Sequence, residues 1–470
     1  MEVYVVQQGD SLWRIANRLN VDLAQLLSAN GLTATSRLVP GQALAVPNPV
    51  WQYIVQPGDQ LGTIAARYGV TVQALAQANQ IRNPAAISPG RMLTMPYRDH
   101  TVKAGETLYS IAQTYGVSLQ RIIRANQLGS ADTLMVNRML RIPPPLRPVK
   151  EINTYTTGFG AGGISEVSRL GPYLTYLSPF RYAFRADGSL TSLNDRPVLE
   201  AARAHGVLPL LILANFAENG FSSDLAAQLL RNEAIQNTLI NNLLTVMRQK
   251  GYGGVNFDFE YVYPEDRDRY TAFLRRVTER LHPEGFLVST ALAPKTSGTQ
   301  TGLLYEAHDY GAHAAIVDFI ILMTYEWGWA GGRPLAIAPL NEVKRVLDYA
   351  ITVIPPEKIM MGAPLYGRDW KIPWQQGTLA RTVSPQEAVA LAVKYGASIR
   401  YHPTSQSPYF NYTDESGQQH EVWFEDARSM RAKINLLNQY GLRGISYWVL
   451  GNPFPQNWIV QEDLVRARKL

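Results

Sequence analysis

The sequence predicts an α/β fold: a (β/α)8 barrel over residues 151–470, with a small α+β insertion between strands seven and eight, preceded by three βααβ modules. Three observations predict it. Similar units headed by Gly9, Gly58 and Gly105 recur 49 and 47 residues apart. After a proline-rich stretch, eight apolar runs alternate with amphipathic segments. The fourth run carries polar residues at every second position.

The repeats read VVQQGDSLWRIANRLNVDLAQLLSANGL from Val5, IVQPGDQLGTIAARYGVTVQALAQANQI from Ile54 and TVKAGETLYSIAQTYGVSLQRIIRANQL from Thr101. They close on ALAVP, MLTMP and MLRIP. In the first, a strand over Tyr4–Val6 runs into a Gly-Asp turn, and Asp10 is expected to cap a helix over Ser11–Arg18. Leu12, Ile15, Ala16 and Leu19 have helical spacing, and Leu23, Leu26 and Leu27 belong to a second helix. Pro40-Gly41 and Pro89-Gly90 predict a turn before the last strand, where the third unit has Val136-Asn137. Where the first and third units carry an aromatic residue after the helix leucine, the second has Gly62. The modules are expected over 1–48, 51–97 and 99–143, and the prolines between Pro143 and Pro148 form a stiff linker over 144–150.

The barrel strands are expected at Glu151–Gly158, Tyr173–Phe180, Leu208–Asn215, Gly254–Tyr261, Phe286–Ala293, Phe319–Tyr325, Ile359–Leu365 and Gly444–Leu450. An open doubly wound sheet is the alternative. The gap between strands seven and eight exceeds one helix. It contains NYTDESGQQHEVWF, a hairpin with a Ser-Gly turn, so an insertion is expected over about 370–440.

Strand four, GGVNFDFEYV, places Asn256, Asp258 and Glu260 on one face, inward in a closed barrel, with Glu260 nearest the C-terminal mouth. Two neighbouring carboxyls in a low dielectric cannot both ionise easily, so one is expected to stay protonated near neutral pH. A proton held by Glu260 beside Asp258 suits general acid catalysis on a glycosidic oxygen.

The net charge of +6 includes no dense basic block, which argues against a nucleic-acid partner. There is no cysteine, and the seven histidines show no ligand-type pairing, so neither a metal nor another cofactor is expected. The N-terminal residues lack a signal-peptide pattern, and no apolar run is long enough to span a membrane. The sequence does not show the oligomeric state, and a monomer is favoured.

The repeats resemble the LysM domain, which implies binding to glycans rich in N-acetylglucosamine. By that resemblance the contacts are Gly9, Asp10 and Ser11, then Gly58 and Asp59, then Gly105, Glu106 and Thr107. Capping alone also explains the Asp and Ser residues. The barrel resembles glycoside hydrolase family 18 through YTTGF on strand one, the strand-four row, MTYE on strand six, the G-x-P-L-Y-G run on strand seven and GISYW on strand eight. The resemblance implies substrate-assisted retaining hydrolysis, with Glu260 as acid, Asp258 on the 2-acetamido N–H, Tyr325 on its carbonyl and Trp448 under the sugar. Asn256 and Glu326 stand where the family has Asp, and Gly253-Gly254 replaces its leading Asp-Gly. The Asn-x-Asp-x-Glu row behind LysM repeats is similar to the spore cortex-lytic N-acetylglucosaminidases. That implies peptidoglycan, or another N-acetylglucosamine polymer, as partner and the spore coat, cortex or cell wall as location. A chitinase and a non-catalytic lectin are the alternatives.

Tyr155, Phe180, Asn215 and Tyr366 are expected at strand ends, one or two of them on substrate, and Trp327, Trp329, Trp370 and Trp374 at the mouth. Tyr176, Tyr182 and Tyr263 suit either surface or cleft.

Overall fold

The computed structural model describes residues 2–19, 21–47, 52–55, 58–67, 71–81, 83, 87, 91–94, 96, 98–115, 117–129, 134–142 and 147–470. Two compact units emerge, one of residues 1–46 with 148–470, the other of residues 47–147. The expected Pro89-Gly90 turn and residues 144–146 of the expected linker lie outside the described residues, and the first barrel strand begins at Val149, inside the span expected for the linker.

Eight parallel strands close the barrel: β1 (Val149–Thr156), β2 (Tyr176–Pro179), β3 (Leu208–Ala214), β4 (Gly254–Asp258), β5 (Leu287–Leu292), β6 (Phe319–Leu322), β7 (Ile359–Pro364) and β8 (Gly444–Trp448). Each pairs with the next, and β8 pairs with β1. Alternation divides the apolar residues into two layers. Val255, Phe257 and Leu211 face the helices, while Leu210, Ile212, Phe319, Ile321 and Met360 fill the interior. Among the covering helices, Glu233–Lys250 is capped by Asn232, whose side chain accepts from Ala234 and Ile235 N–H. Gly253 and Gly254 sit in close quarters. A Cβ at 253 would lie 2.3 Å from the Leu208 side chain, and one at 254 would lie 2.6 Å from the Leu287 carbonyl oxygen.

The insertion is a five-stranded antiparallel sheet between β7 and β8. Its strands, in sheet order, are Arg381–Val383, Gly367–Ile372, Gln419–Trp423, Ser407–Thr413 and Arg400–His402, with helix Pro385–Lys394 beside them. The predicted hairpin is its Ser407–Thr413/Gln419–Trp423 pair, with Gly417 at φ +84° in the turn. The sheet starts at Gly367 and ends at Trp423, narrower at its C-terminal side than the expected span to about 440. Helix Ala427–Gln439 belongs to the barrel layer, because Met430, Ile434 and Leu437 join the barrel core.

In the first module, Glu2–Val5 pairs antiparallel with Ala43–Val46 around helices Leu12–Arg18 and Leu23–Asn30. Asp10 does not cap the first helix. Ser11 does, accepting from Arg14 N–H, while the Asp10 carboxylate accepts from Tyr4 Oη at 2.6 Å and Gln7 N–H at 2.8 Å. Asn30 staples helix to strand: its Nδ2 donates to the Leu26 and Ala45 carbonyls and its Oδ1 accepts from Ala45 N–H. Asn79 and Asn126 repeat this in the other modules, which explains the recurring Asn. In the third, Asn137 takes the left-handed conformation (φ +66°) that Gly41 takes in the first (φ +82°).

The first module is fastened to the barrel. Gln456 Nε2 donates to Asn30 Oδ1 and to the Ala43 carbonyl, both at 2.8 Å. Arg428 Nη2 donates to the Gly41 carbonyl at 3.1 Å, and Ile399 N–H to the Pro40 carbonyl at 2.9 Å. Val39 sits in the apolar core of the insertion, and Ala45 in that of the barrel.

Candidate active site

β4 presents its inner row at the C-terminal mouth. Asn256 is fully buried; its Nδ2 donates to Ser289 Oγ at 3.0 Å, and its Oδ1 accepts from Tyr155 Oη at 3.3 Å. Asp258 is buried, and its Oδ1 has no hydrogen-bond partner among the described residues. Burial pushes its carboxyl up to about 7, against the pull of the Arg181 charge. Glu260 lies two residues beyond the strand's end and is half-buried. Burial first, then the charges of Asp258 and Glu326, hold its carboxyl well above the ordinary range. The pair therefore retains a proton at neutral pH.

Around the carboxyls stand aromatic walls. The Trp448 ring centre lies 4.8 Å from that of Phe180 and 5.2 Å from that of Tyr155, both edge-on. Tyr325, three residues beyond β6, has its hydroxyl kept protonated by burial and by Asp258, Glu260 and Glu326. It packs over Gly362 of β7, where a Cβ would lie 2.8 Å from Tyr325 Cε1. Glu326, at φ +68°, accepts from the Tyr366 hydroxyl and, at 2.9 Å, from Arg368 Nη2.

Tyr155, Phe180, Asn256, Asp258, Glu260, Tyr325, Glu326, Tyr366 and Trp448 thus converge at one end of the barrel. Asn215 has a different place from that expected. It is fully buried, and its side chain is spent on backbone: Oδ1 accepts from Glu260 N–H at 3.0 Å, while Nδ2 donates to the Glu260 and Ser222 carbonyls. It holds the acid in place instead of lining the cleft. Trp370 is buried, with Nε1 on the Gly332 carbonyl, so it offers no face to a sugar. Trp327 and Trp374 are partly buried, and Trp329 is exposed. Tyr176 and Tyr182 are buried and bonded to Glu151 and Asp195, while Tyr263 donates to Asp224.

Sequence reasoning missed three residues here. Arg181 follows Phe180 with no motif around it. Tyr261, beside the acid, is exposed at φ +55°. His308 accepts from Ala293 N–H through Nδ1 and contacts the Phe259 carbonyl through Nε2, pinning the chain just ahead of Glu260. In the repeats, Gly9, Gly58 and Gly105 all adopt φ between +82° and +84°. Asp59 is half-buried in the same turn. Glu106 accepts from Lys103 N–H and meets His100 Nε2, and Thr107 Oγ1 accepts from Ser110 N–H. Trp13 and Tyr109, at matching positions, are about two-thirds exposed.

A parallel barrel with carboxyls and aromatic rings at the C-terminal mouth is the frame of a barrel glycosidase. The family model for glycosyl hydrolases family 18 matches residues 217–452, and that for the LysM domain matches 4–47, 53–96 and 100–143. The chain belongs to glycosyl hydrolases family 18 and carries three LysM domains. It is 47% identical over 309 residues to a cortical fragment-lytic enzyme of Bacillus cereus, covering 65% of this chain and 72% of that protein. The crystal structure of the Bacillus cereus spore cortex-lytic enzyme SleL superposes with a TM-score of 0.79 at 39% identity, covering 100% of this chain and 98% of that one. Its Bacillus megaterium counterpart gives 0.80 at 35% identity, covering 100% and 99%. The protein is a glycoside hydrolase, and its domains are those of proteins that bind N-acetylglucosamine-containing glycan.

Proposed function

We propose that the protein is an N-acetylglucosaminidase that hydrolyses peptidoglycan, in particular fragments of spore cortex, by a retaining, substrate-assisted route. The observation that carries this reading is the placing of buried Asp258 and half-buried Glu260 side by side at the barrel mouth, with Asp258 Oδ1 left without a hydrogen-bond partner among the described residues. Burial raises both carboxyls and so favours a shared proton at neutral pH. Glu260 gives its proton to the glycosidic oxygen as the bond from the anomeric carbon to that oxygen breaks. The substrate's own 2-acetamido oxygen closes on the anomeric carbon, forming an oxazolinium ion. Asp258 takes the acetamido N–H on its open oxygen and balances the positive charge. The Tyr325 hydroxyl donates to the acetamido oxygen, and Trp448 forms the floor. A water then gives a proton to the Glu260 carboxylate and opens the ring with retained configuration. Asn256 cannot exchange a proton with Asp258, so proton movement stays within the pair. Kinship with the cortical fragment-lytic enzyme supports the choice of polymer, and the LysM domains support retention on spore cortex or cell wall, their several weak sites reinforcing one another.

Glu260→Gln is expected to keep glycan binding and reduce turnover to below about 1% of wild type. Higher residual activity removes Glu260 from the acid's role. Purified cortex and chitin, digested side by side, identify the polymer. New reducing N-acetylglucosamine ends from cortex, read by mass spectrometry, support the proposal. Products from chitin alone replace it with a chitinase.

A further inference from the structure

A proton shared by Asp258 and Glu260 has two placements, and the reaction proposed above uses one of them. On Glu260 it leaves an acid for the glycosidic oxygen and an anion for the acetamido N–H. On Asp258 it removes both. Asn256 has no proton to exchange, and Ser289 and Tyr155 already hold its amide. The placement is therefore set by the charges that face each acid. Glu260 faces the anions Asp258 and Glu326. Asp258 faces Glu260 on its own side and the buried hydroxyls of Tyr155 on β1, Tyr325 beyond β6 and Tyr270 on helix Arg267–Leu281. Among the described residues it faces one cation, Arg181.

Arg181 stands just past β2 and is half-buried. Its Cζ lies 3.2 Å from the centre of the Phe216 ring and 5.2 Å from that of Phe180. Phe216 is braced edge-on by Phe221, with ring centres 5.2 Å apart. These rings hold the guanidinium at the mouth by cation–π attraction. Arg181 forms no ion pair among the described residues, whereas Arg368 is paired with Glu326 at 2.9 Å. Arg181 Nε and Asp258 Oδ1 are both shut off from solvent and without hydrogen-bond partners among the described residues. The two charges therefore act on each other through a poorly screened space and not by contact. A contact pair would occupy the Oδ1 that the acetamido N–H is to meet. A cation drawn back onto two rings leaves that oxygen open and still favours the anion.

We propose that Arg181 is a positioning residue for the shared proton: acting through Asp258, it keeps that carboxyl ionised and so places the proton on Glu260. The inference rests on the proposed acid role of Glu260, and it is tested first by stability, which needs no turnover. Urea melts from about pH 4 to 9 compare the full chain carrying Glu260→Gln with the same chain carrying Asp258→Asn as well. Their difference in stability grows with pH and levels off where Asp258 finishes ionising. Arg181→Gln in both chains is expected to move that levelling upward by about one pH unit, or tenfold in proton affinity. On cortex fragments, with Glu260 intact, Arg181→Gln is expected to move the acidic limb of kcat/KM upward by about the same amount. It should lower kcat about 5- to 20-fold, with KM within about twofold. Arg181→Lys keeps the charge and is expected to shift both measurements less. Phe216→Leu keeps the arginine but removes the ring against it, and is expected to shift them in the same direction as Arg181→Gln, by less. An Asp258 transition, or in the active chain an acidic limb, that stays in place in Arg181→Gln overturns the assignment. Equal shifts from Arg181→Lys and Arg181→Gln also overturn it, because charge would then not be the cause. Failure of the acid role is seen separately, as turnover that survives Glu260→Gln while the Asp258 transition still moves.

Discussion

The Asp258 carboxyl is held at about 7, while its ordinary value is 3.8, and burial is the main cause. Between these two values the unfolded chain has lost a proton that the folded chain keeps. Stability from this group is therefore lost as pH rises from about 4 to about 7, and above that the folded state carries a penalty of about 4 kcal/mol. Asp258→Asn removes the titration. In urea melts the variant is expected to match wild type near pH 4 and to exceed it by up to that amount at pH 8, while losing turnover because an amide cannot balance the oxazolinium charge. If the stability difference between the two chains stays flat from pH 4 to 8, burial does not set this carboxyl's behaviour. The neighbouring residues divide the labour. Asn256 is tied to Ser289 and Tyr155, and Asn215 to the Glu260 backbone, while Asp258 Oδ1 keeps no partner among the described residues.

At the scale of elements, the site depends on how closely β6 and β7 approach. At Gly362 a Cβ would come within 2.5 Å of the Leu322 carbonyl oxygen and 2.8 Å of Tyr325 Cε1. Backbone cannot yield cheaply, so Gly362→Ala is expected to displace Tyr325. The outcome is a 10- to 100-fold loss of kcat, with about 1–3 kcal/mol of stability lost. Steady-state kinetics beside a thermal melt check this, and an unchanged kcat would show that the Tyr325 position is not set by β7. The eight strands and the β4 row were legible in the sequence because apolar runs and a two-residue period are local signals. Asn215 and Arg181 were not. A strand-end Asn reads the same whether it faces ligand or backbone, and a lone Arg after SPF carries no period. The Asp10 cap was misjudged for a similar reason. Asp and Ser are both good caps, and only the turn geometry, with Tyr4 and Gln7 claiming the Asp10 carboxylate, decides between them.

For the molecule as a whole, the sequence suggested three modules strung ahead of a barrel, yet the first is built into the catalytic unit. The chain leaves that unit at Val46 and returns at Pro148, and the contact joins residues as far apart in sequence as Asn30 and Gln456. What holds it is apolar burial with paired polar groups. Val39 is 6% exposed among Val383, Ile399 and Phe424, and Gln456 bridges Asn30 and Ala43. Burying one valine contributes about 1.5 kcal/mol, and the Gln456 bonds about 1 kcal/mol each. Deleting residues 1–46 uncovers the Ile399 and Phe424 neighbourhood as well, so the remaining chain is expected to melt several degrees lower. Val39→Asp places a charge in the same core and should reproduce much of that loss in the intact chain. Scanning calorimetry on the three proteins decides the matter. A barrel transition at the same temperature in all of them would mean that the first module is only tethered. A parallel drop would mean that it has become part of the catalytic unit's core, with the loop that joins its second helix to its last strand committed to the barrel.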